Sequence, residues 1–210
     1  MAKIILVRHG QTDWNKSLHI QGGGSNTELN SIGRAQAERL GEHLKEEKID
    51  VIYSSPLKRT LDTASAIARH HQLEIKLEPE LKEIDAAELE GAHVSEIGAR
   101  LEQILIGQRE ADELFEAYGG ESLREVKQRA WGAIERLDSK HPEETVVVVS
   151  HYFVILSIIC AVLDIPLSRI NRFRIGEASV NMIILDGKVP RLVLLNDISH
   201  LKNLRPQAGK

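Results

Sequence analysis

Two stretches of the chain are apolar at every position, Ile4-Ile5-Leu6-Val7 and Val146-Val147-Val148-Val149, and Val51-Ile52-Tyr53 makes a shorter third. A strand with one wet face alternates, whereas one covered on both faces does not, so these runs predict buried strands of a parallel sheet. Between them the spacing changes to the helical period. Ile32, Gln36, Leu40 and Leu44 share one helical face behind Asn30 as a cap. Ser55-Pro56 offers a capping side chain and a proline at the first helical position, followed by the stripe Leu57, Leu61, Ala64 and Ala68, with Arg59 in the first turn. Ser122 and Glu125 have capping-box spacing, and Leu123, Val126, Ala130, Ile134 and Leu137 continue a long helix ending near Lys140-His141-Pro142. Tyr152 to Leu163 is apolar but too short to span a bilayer and predicts a buried helix. Val180 to Ile184 and Leu192 to Leu195 flank Asp186-Gly187-Lys188, which predicts a terminal hairpin.

Alternating strands and helices predict an α/β fold, a mainly parallel sheet sandwiched between helices. The charged, helix-prone segment of about 86–119 lacks a strand run and is expected to be a small helical lid inserted in a single domain covering 1–210. Its charges read as a solvated face, from which Arg100 or Arg109 can reach a second anionic group. The 27 Lys and Arg against 31 Asp and Glu give a net charge of −4, so there is no global field to attract nucleic acid or an anionic membrane, and neither is expected as a partner. Any anion must be held locally. Cys160 sits alone in an apolar run, and Ile4 to Val7 is too short for an export signal, which together lead to a cytoplasmic expectation. His70-His71 closes a helix, where imidazolium complements the dipole. HExxH, paired-cysteine and EF-hand spacings are missing, so no metal is expected, and Gly22-Gly23-Gly24 lacks the Lys-Ser/Thr of a nucleotide loop, so no cofactor is either.

Arg8, Arg59 and His151 each follow one of the apolar runs, and Arg8 adjoins His9. In open α/β sheets ligands bind beyond the carboxyl ends of the strands, so cations at three such ends predict an anion site, for which phosphate is the fitting anion. An imidazole that attacks phosphorus must be unprotonated, and the charge on the phosphoryl oxygens must be neutralised in place. Arg8 and Arg59 serve both needs, with His151, if protonated, as a third positive donor. Asn15 and the backbone amides around Gly22 can complete the cradle.

The string Leu6-Val7-Arg8-His9-Gly10-Gln11-Thr12-Asp13-Trp14-Asn15 resembles the signature of the histidine phosphatase superfamily, the phosphoglycerate mutase-like family. The likeness extends to Gln21-Gly22, to Ser54-Ser55-Pro56-Leu57-Lys58-Arg59-Thr60, to Leu81-Lys82-Glu83 with Glu90-Gly91, and to Val149-Ser150-His151. The resemblance implies His9 as the nucleophile that becomes phosphorylated and Arg8, Arg59 and His151 as the phosphate pocket. It further implies Glu83 as general acid and base, with Asn15, Gln21 and the Gly22 backbone touching phosphate or substrate. The implied activity is metal-independent hydrolysis of a small phosphorylated metabolite, with a phosphoglycerate mutase and a non-catalytic phospho-ligand binding protein as alternatives. Two arginines near Glu83 are expected to lower its pKa, and a bound phosphate dianion to raise it again. Tyr152-Phe153 stands where many relatives have glycine after the second histidine, and Asn26-Thr27-Glu28-Leu29 departs from the Asp and Pro common there, so substrate identity stays open. The apolar terminal strand leaves room for a homodimer.

Overall fold

The computed structural model describes residues 1–96, 115–187, 189–202 and 204. Six strands form one sheet: β1 (Ala2–Arg8), β2 (Val51–Ser54), β3 (Ile75–Leu77), β4 (Thr145–Ser150), β5 (Val180–Leu185) and β6 (Arg191–Asp197). Their spatial order is β3-β2-β4-β1-β5-β6. The first four in sequence run parallel to one another, and β5 and β6 add the expected antiparallel hairpin beside β1.

The unbroken apolar runs are explained by cover on both faces. Ile4, Leu6, Val146 and Val148 belong to one core with the apolar sides of α4 (Leu123–Lys140) and α5 (Tyr152–Val162). Their neighbours Ile5, Val7, Val147 and Val149 point the other way, into a second core with α2 (Ser31–Leu44) and α3 (Lys58–His71). A single turn, α1 (Asp13–Lys16), follows the first strand. Cys160 is buried in α5 as a free thiol. Among the described residues no helix is long and apolar enough to cross a membrane.

Local signals place most helix ends. Asn30 Oδ1 accepts from the Gly33 amide at 2.8 Å, and both halves of the Ser122/Glu125 capping box form. The Ser55 cap does not. α3 starts at Lys58 behind Leu57, whose apolar side chain cannot cap, while Ser55 stands further back with its hydroxyl 2.8 Å from His151 Nε2 and only a long 3.5 Å bond from the Leu57 amide. Arg59 still falls in the first turn. Of the segment expected to form a lid, residues 97–114, Arg100 and Arg109 among them, lie outside the described residues, as does Lys188 of the hairpin turn.

Topology brings the carboxyl ends of three central strands together. Arg8 is paired with Ser150 and Ser54 with Val149, so His9, Ser55 and His151 leave the sheet side by side. The His9 amide donates to the Ser150 carbonyl at 3.0 Å and the Ser55 amide to the Val149 carbonyl at 3.0 Å, which carries the ladder one step past the strands.

Candidate active site

His9 is held by its own backbone on both sides, its amide bonded to Ser150 and its carbonyl accepting from the Ala178 amide at 3.1 Å. Its Nδ1 lies 2.7 Å from the Gly10 carbonyl. A carbonyl only accepts, so Nδ1 carries the proton and Nε2 keeps its lone pair. Burial first, then the guanidinium groups of Arg59 and Arg8, holds the His9 pKa well below its ordinary value against the opposing pull of the Gly10 bond. The ring is therefore a neutral base at physiological pH.

His151 caps α5 and meets His9 edge to face, with ring centroids 5.2 Å apart. Burial, followed by Arg59 and His9, also drives its pKa well down. The protonation on which His151 depends to serve as a third positive donor is thus opposed by its surroundings. Arg59 is completely buried and spends two N–H donors on the carbonyls of Ser25 at 2.9 Å and Gly22 at 3.0 Å. Burial lowers its pKa to about 10, opposed by Glu83 and Glu90, so it stays charged. Arg8 donates to the Ile175 carbonyl at 2.9 Å, lies 3.7 Å from Glu177 and places its guanidinium 5.0 Å from the centre of the Tyr152 ring. Arg8 Nε, Arg59 Nε and His151 Nδ1 are buried without a partner. Buried donors are normally satisfied, and three orphans around one imidazole are suited to the oxygens of an anion.

Glu83 follows the turn Pro79–Leu81, which the Ser150 hydroxyl fixes by donating to the Leu81 carbonyl at 2.7 Å. Its carboxylate accepts from the amides of Ile84 at 2.9 Å and Phe153 at 3.3 Å. Burial raises the Glu83 pKa, outweighing the bond from Ile84, the expected downward pull of Arg59 and that of Arg129, a neighbour the sequence does not single out. Burial thus raises the Glu83 pKa in the same pocket where it lowers that of His9, the divergence of two titratable groups that acid and base work calls for.

The sequence profile of the histidine phosphatase superfamily (branch 1) matches residues 4–198. This chain belongs to that superfamily. It is 36% identical over 210 residues to phosphoserine phosphatase 1 of Hydrogenobacter thermophilus, covering 100% of this chain and 99% of that one. It is also 36% identical over 205 residues to phosphoglycerate mutase-like protein 4 of Arabidopsis thaliana, covering 96% and 87%. A crystal structure of a phosphoserine phosphatase mutant from Entamoeba histolytica in complex with phosphoserine superposes with a TM-score of 0.86 at 30% identity, covering 96% of this chain and 100% of the other.

In this histidine phosphatase a cavity of about 470 Å³ opens over His9, lined among others by Arg8, Asn15, Gln21, Glu83, Tyr152 and Phe153. Asn15 and Gln21 reach it while each holds Thr12: the Thr12 hydroxyl lies 3.0 Å from both side-chain oxygens, and the Gln21 amide nitrogen donates to Thr27. Gly22 does not line the cavity. Its amide donates to Glu90 at 2.9 Å, and a Cβ there would stand 2.5 Å from the same carboxylate, so the residue is glycine for close approach.

Glu90 shows why the Gly22 loop matters. Its Oε1 accepts from the amides of Gly22 and Ser25, whose carbonyls are the two acceptors of Arg59. The loop is thus a peptide bridge between the Glu90 carboxylate and the Arg59 guanidinium. Removing the carboxylate frees two amides, each bond to a charged group being worth about 1.5–3 kcal/mol. Glu90→Ala is expected to lower the thermal midpoint by several degrees and to weaken vanadate binding as Arg59 loosens, both measurable by a thermal melt with and without vanadate. An unshifted melt and unchanged vanadate affinity would rule out the bridge.

Sequence reasoning assigned no role to Glu90, and it misread Ser55 as a cap because Ser-Pro is an ordinary helix start. Arg174 and Glu177, on the cavity wall, were missed as well. They sit in an irregular stretch between a 3-10 turn (Leu167–Arg172) and β5, where no periodicity points inward.

Proposed function

We propose that this enzyme hydrolyses small phosphate monoesters without a metal, through a phosphorylated His9, with phosphoserine as its preferred class of substrate. The observation that carries the reading is the neutral His9 ring on the cavity wall, whose Nδ1 is tied to the Gly10 carbonyl, so that the lone pair is on Nε2, with Arg59 and Arg8 acting on the ring and His151 packed edge to face against it. In the first half-reaction Nε2 forms a bond to phosphorus as the ester P–O bond breaks, and Glu83 gives its proton to the leaving alkoxide. In the second, Glu83 takes a proton from water, whose oxygen attacks phosphorus while the N–P bond breaks, restoring neutral His9 and protonated Glu83. Charge on the equatorial oxygens is met by Arg8 and Arg59, so side chains provide the electrostatic stabilisation that a metal gives elsewhere. The dianion of a bound ester adds to the burial that already raises the Glu83 pKa.

Phosphoserine is favoured by the relatives it resembles and by the cavity wall, where Arg174 and Glu177 offer one charge of each sign to a zwitterion. The mutase-like relative keeps phosphoglycerate mutase as the second reading. Rates for phosphoserine, 3-phosphoglycerate and sugar phosphates, measured with and without chelator and with a bisphosphoglycerate-primed transfer assay, separate the two. Hydrolysis led by phosphoserine and indifferent to chelator is the expected result, and transfer outrunning hydrolysis would overturn it.

A further inference from the structure

We propose that Ser55 is a positioning residue that locks His151 in the tautomer with the proton on Nδ1, so that the ring presents a neutral N–H, and no lone pair, to the transferring phosphoryl group. The inference rests on the phosphoryl-transfer reading given above and goes beyond it by assigning a proton.

Both side chains are wholly buried, and Ser55 Oγ lies 2.8 Å from His151 Nε2. A hydroxyl both donates and accepts, so that distance alone permits either direction. The surroundings decide it. The one other bond at Ser55 Oγ is a long one received from the Leu57 amide at 3.5 Å, which uses a lone pair and not the hydroxyl hydrogen. Among the described residues, the only acceptor that hydrogen reaches is His151 Nε2. If Nε2 were the protonated nitrogen, the serine hydrogen and the Nδ1 lone pair would both be buried and unmet. With the proton on Nδ1, the serine hydrogen is satisfied and a single N–H is left over, matching the partnerless Nδ1.

Ser55 is itself braced for the task. Its amide donates to Val149 at 3.0 Å, and its carbonyl accepts from the hydroxyls of Ser54 at 2.8 Å and Thr60 at 2.9 Å. The hydroxyl therefore hangs from a backbone pinned to β4 on one side and to the start of α3 on the other. The His151 ring meets the His9 ring edge to face with its Nδ1 buried and unpartnered; an N–H there is a donor for a phosphoryl oxygen, whereas a lone pair in its place would repel that oxygen. Fixing the tautomer through the far nitrogen is the common way an imidazole is oriented.

Nitrogen-15 spectra of histidine-labelled protein read the tautomer directly. In the resting wild type, His151 is expected with a protonated Nδ1 and a bare Nε2; Ser55→Ala is expected to mix or reverse that pattern, and Ser55→Thr to restore it. Because a lost transition-state donor costs about 10²–10³-fold, the partial loss in Ser55→Ala is expected to lower kcat about 10-fold or more and to weaken vanadate to a similar extent, with rescue by Ser55→Thr. A wild-type His151 protonated on Nε2, or on both nitrogens, overturns the proposal even if the alanine variant does not fold. So does a Ser55→Ala protein with unaltered tautomer and kcat. Neither result touches the phosphohistidine reading, which stands or falls on His9.

Discussion

His9→Ala is expected to lower kcat/KM for every phosphate monoester by about 10⁴-fold or more, the scale of removing a nucleophile from a site whose members act as a unit. Acid-free trapping during turnover should recover a phosphoryl adduct on the wild type and none on the variant. The reason lies in what survives the substitution. Arg8 and Arg59 can still bind the phosphate, but they would have to orient water for direct displacement with no group in place of Nε2. The variant should therefore bind a substrate analogue while failing to turn it over, which separates chemistry from binding. Retention of a tenth of the wild-type rate, or an adduct on another residue, would show that His9 is not the nucleophile.

Glu83→Gln should slow hydrolysis by about 10²–10⁴-fold, and the size of the loss should depend on the leaving group. An alkyl ester needs the proton in the first half-reaction; an activated phenyl ester does not. With the phenyl ester the variant is expected to release one equivalent of phenol per enzyme in a burst and then stall, because the carboxylate that activates water is gone. The pH profile follows from the two shifts. His9 must be neutral, so the rate falls as pH drops through its lowered pKa. Glu83 must be protonated for alkyl esters, so their rate falls as pH rises through its raised pKa. In Glu83→Gln the alkaline limb should vanish and the acid limb remain. Equal losses for both esters, no burst and an unchanged alkaline limb would remove Glu83 from the role.

Most of the sheet was legible because burial on both faces erases alternation, and β1, β2 and β4 carry that mark. The strand β3 was not, since Ile75-Lys76-Leu77 is short and largely exposed at the sheet edge, with little apolar pressure to show in the sequence. At the site, identities could be read but states could not. The sign of the Glu83 shift depends on how deeply the carboxyl is buried, and the lowered pKa of His151 on burial first and on the guanidinium groups near the ring second. The bridge from Glu90 to Arg59 runs through backbone atoms of Gly22 and Ser25, which no side-chain pattern announces.

The place of β1 in the sheet has a bearing on how the chain comes into being. Its hydrogen-bonded neighbours are β4 and β5, which the ribosome makes roughly 140 and 170 residues later. Until they emerge, Ile4 to Val7 is a sticky ribbon with two open edges, the kind of segment that nascent-chain helpers shield. A chain halted before Ala178 would already hold His9, both arginines, Glu83 and His151, yet nothing would pair with the Val7 side of β1 or supply an amide to the His9 carbonyl. Bracing of His9 in this enzyme is accordingly a late event of biosynthesis, awaiting Ala178 and the strand β5 that follows it.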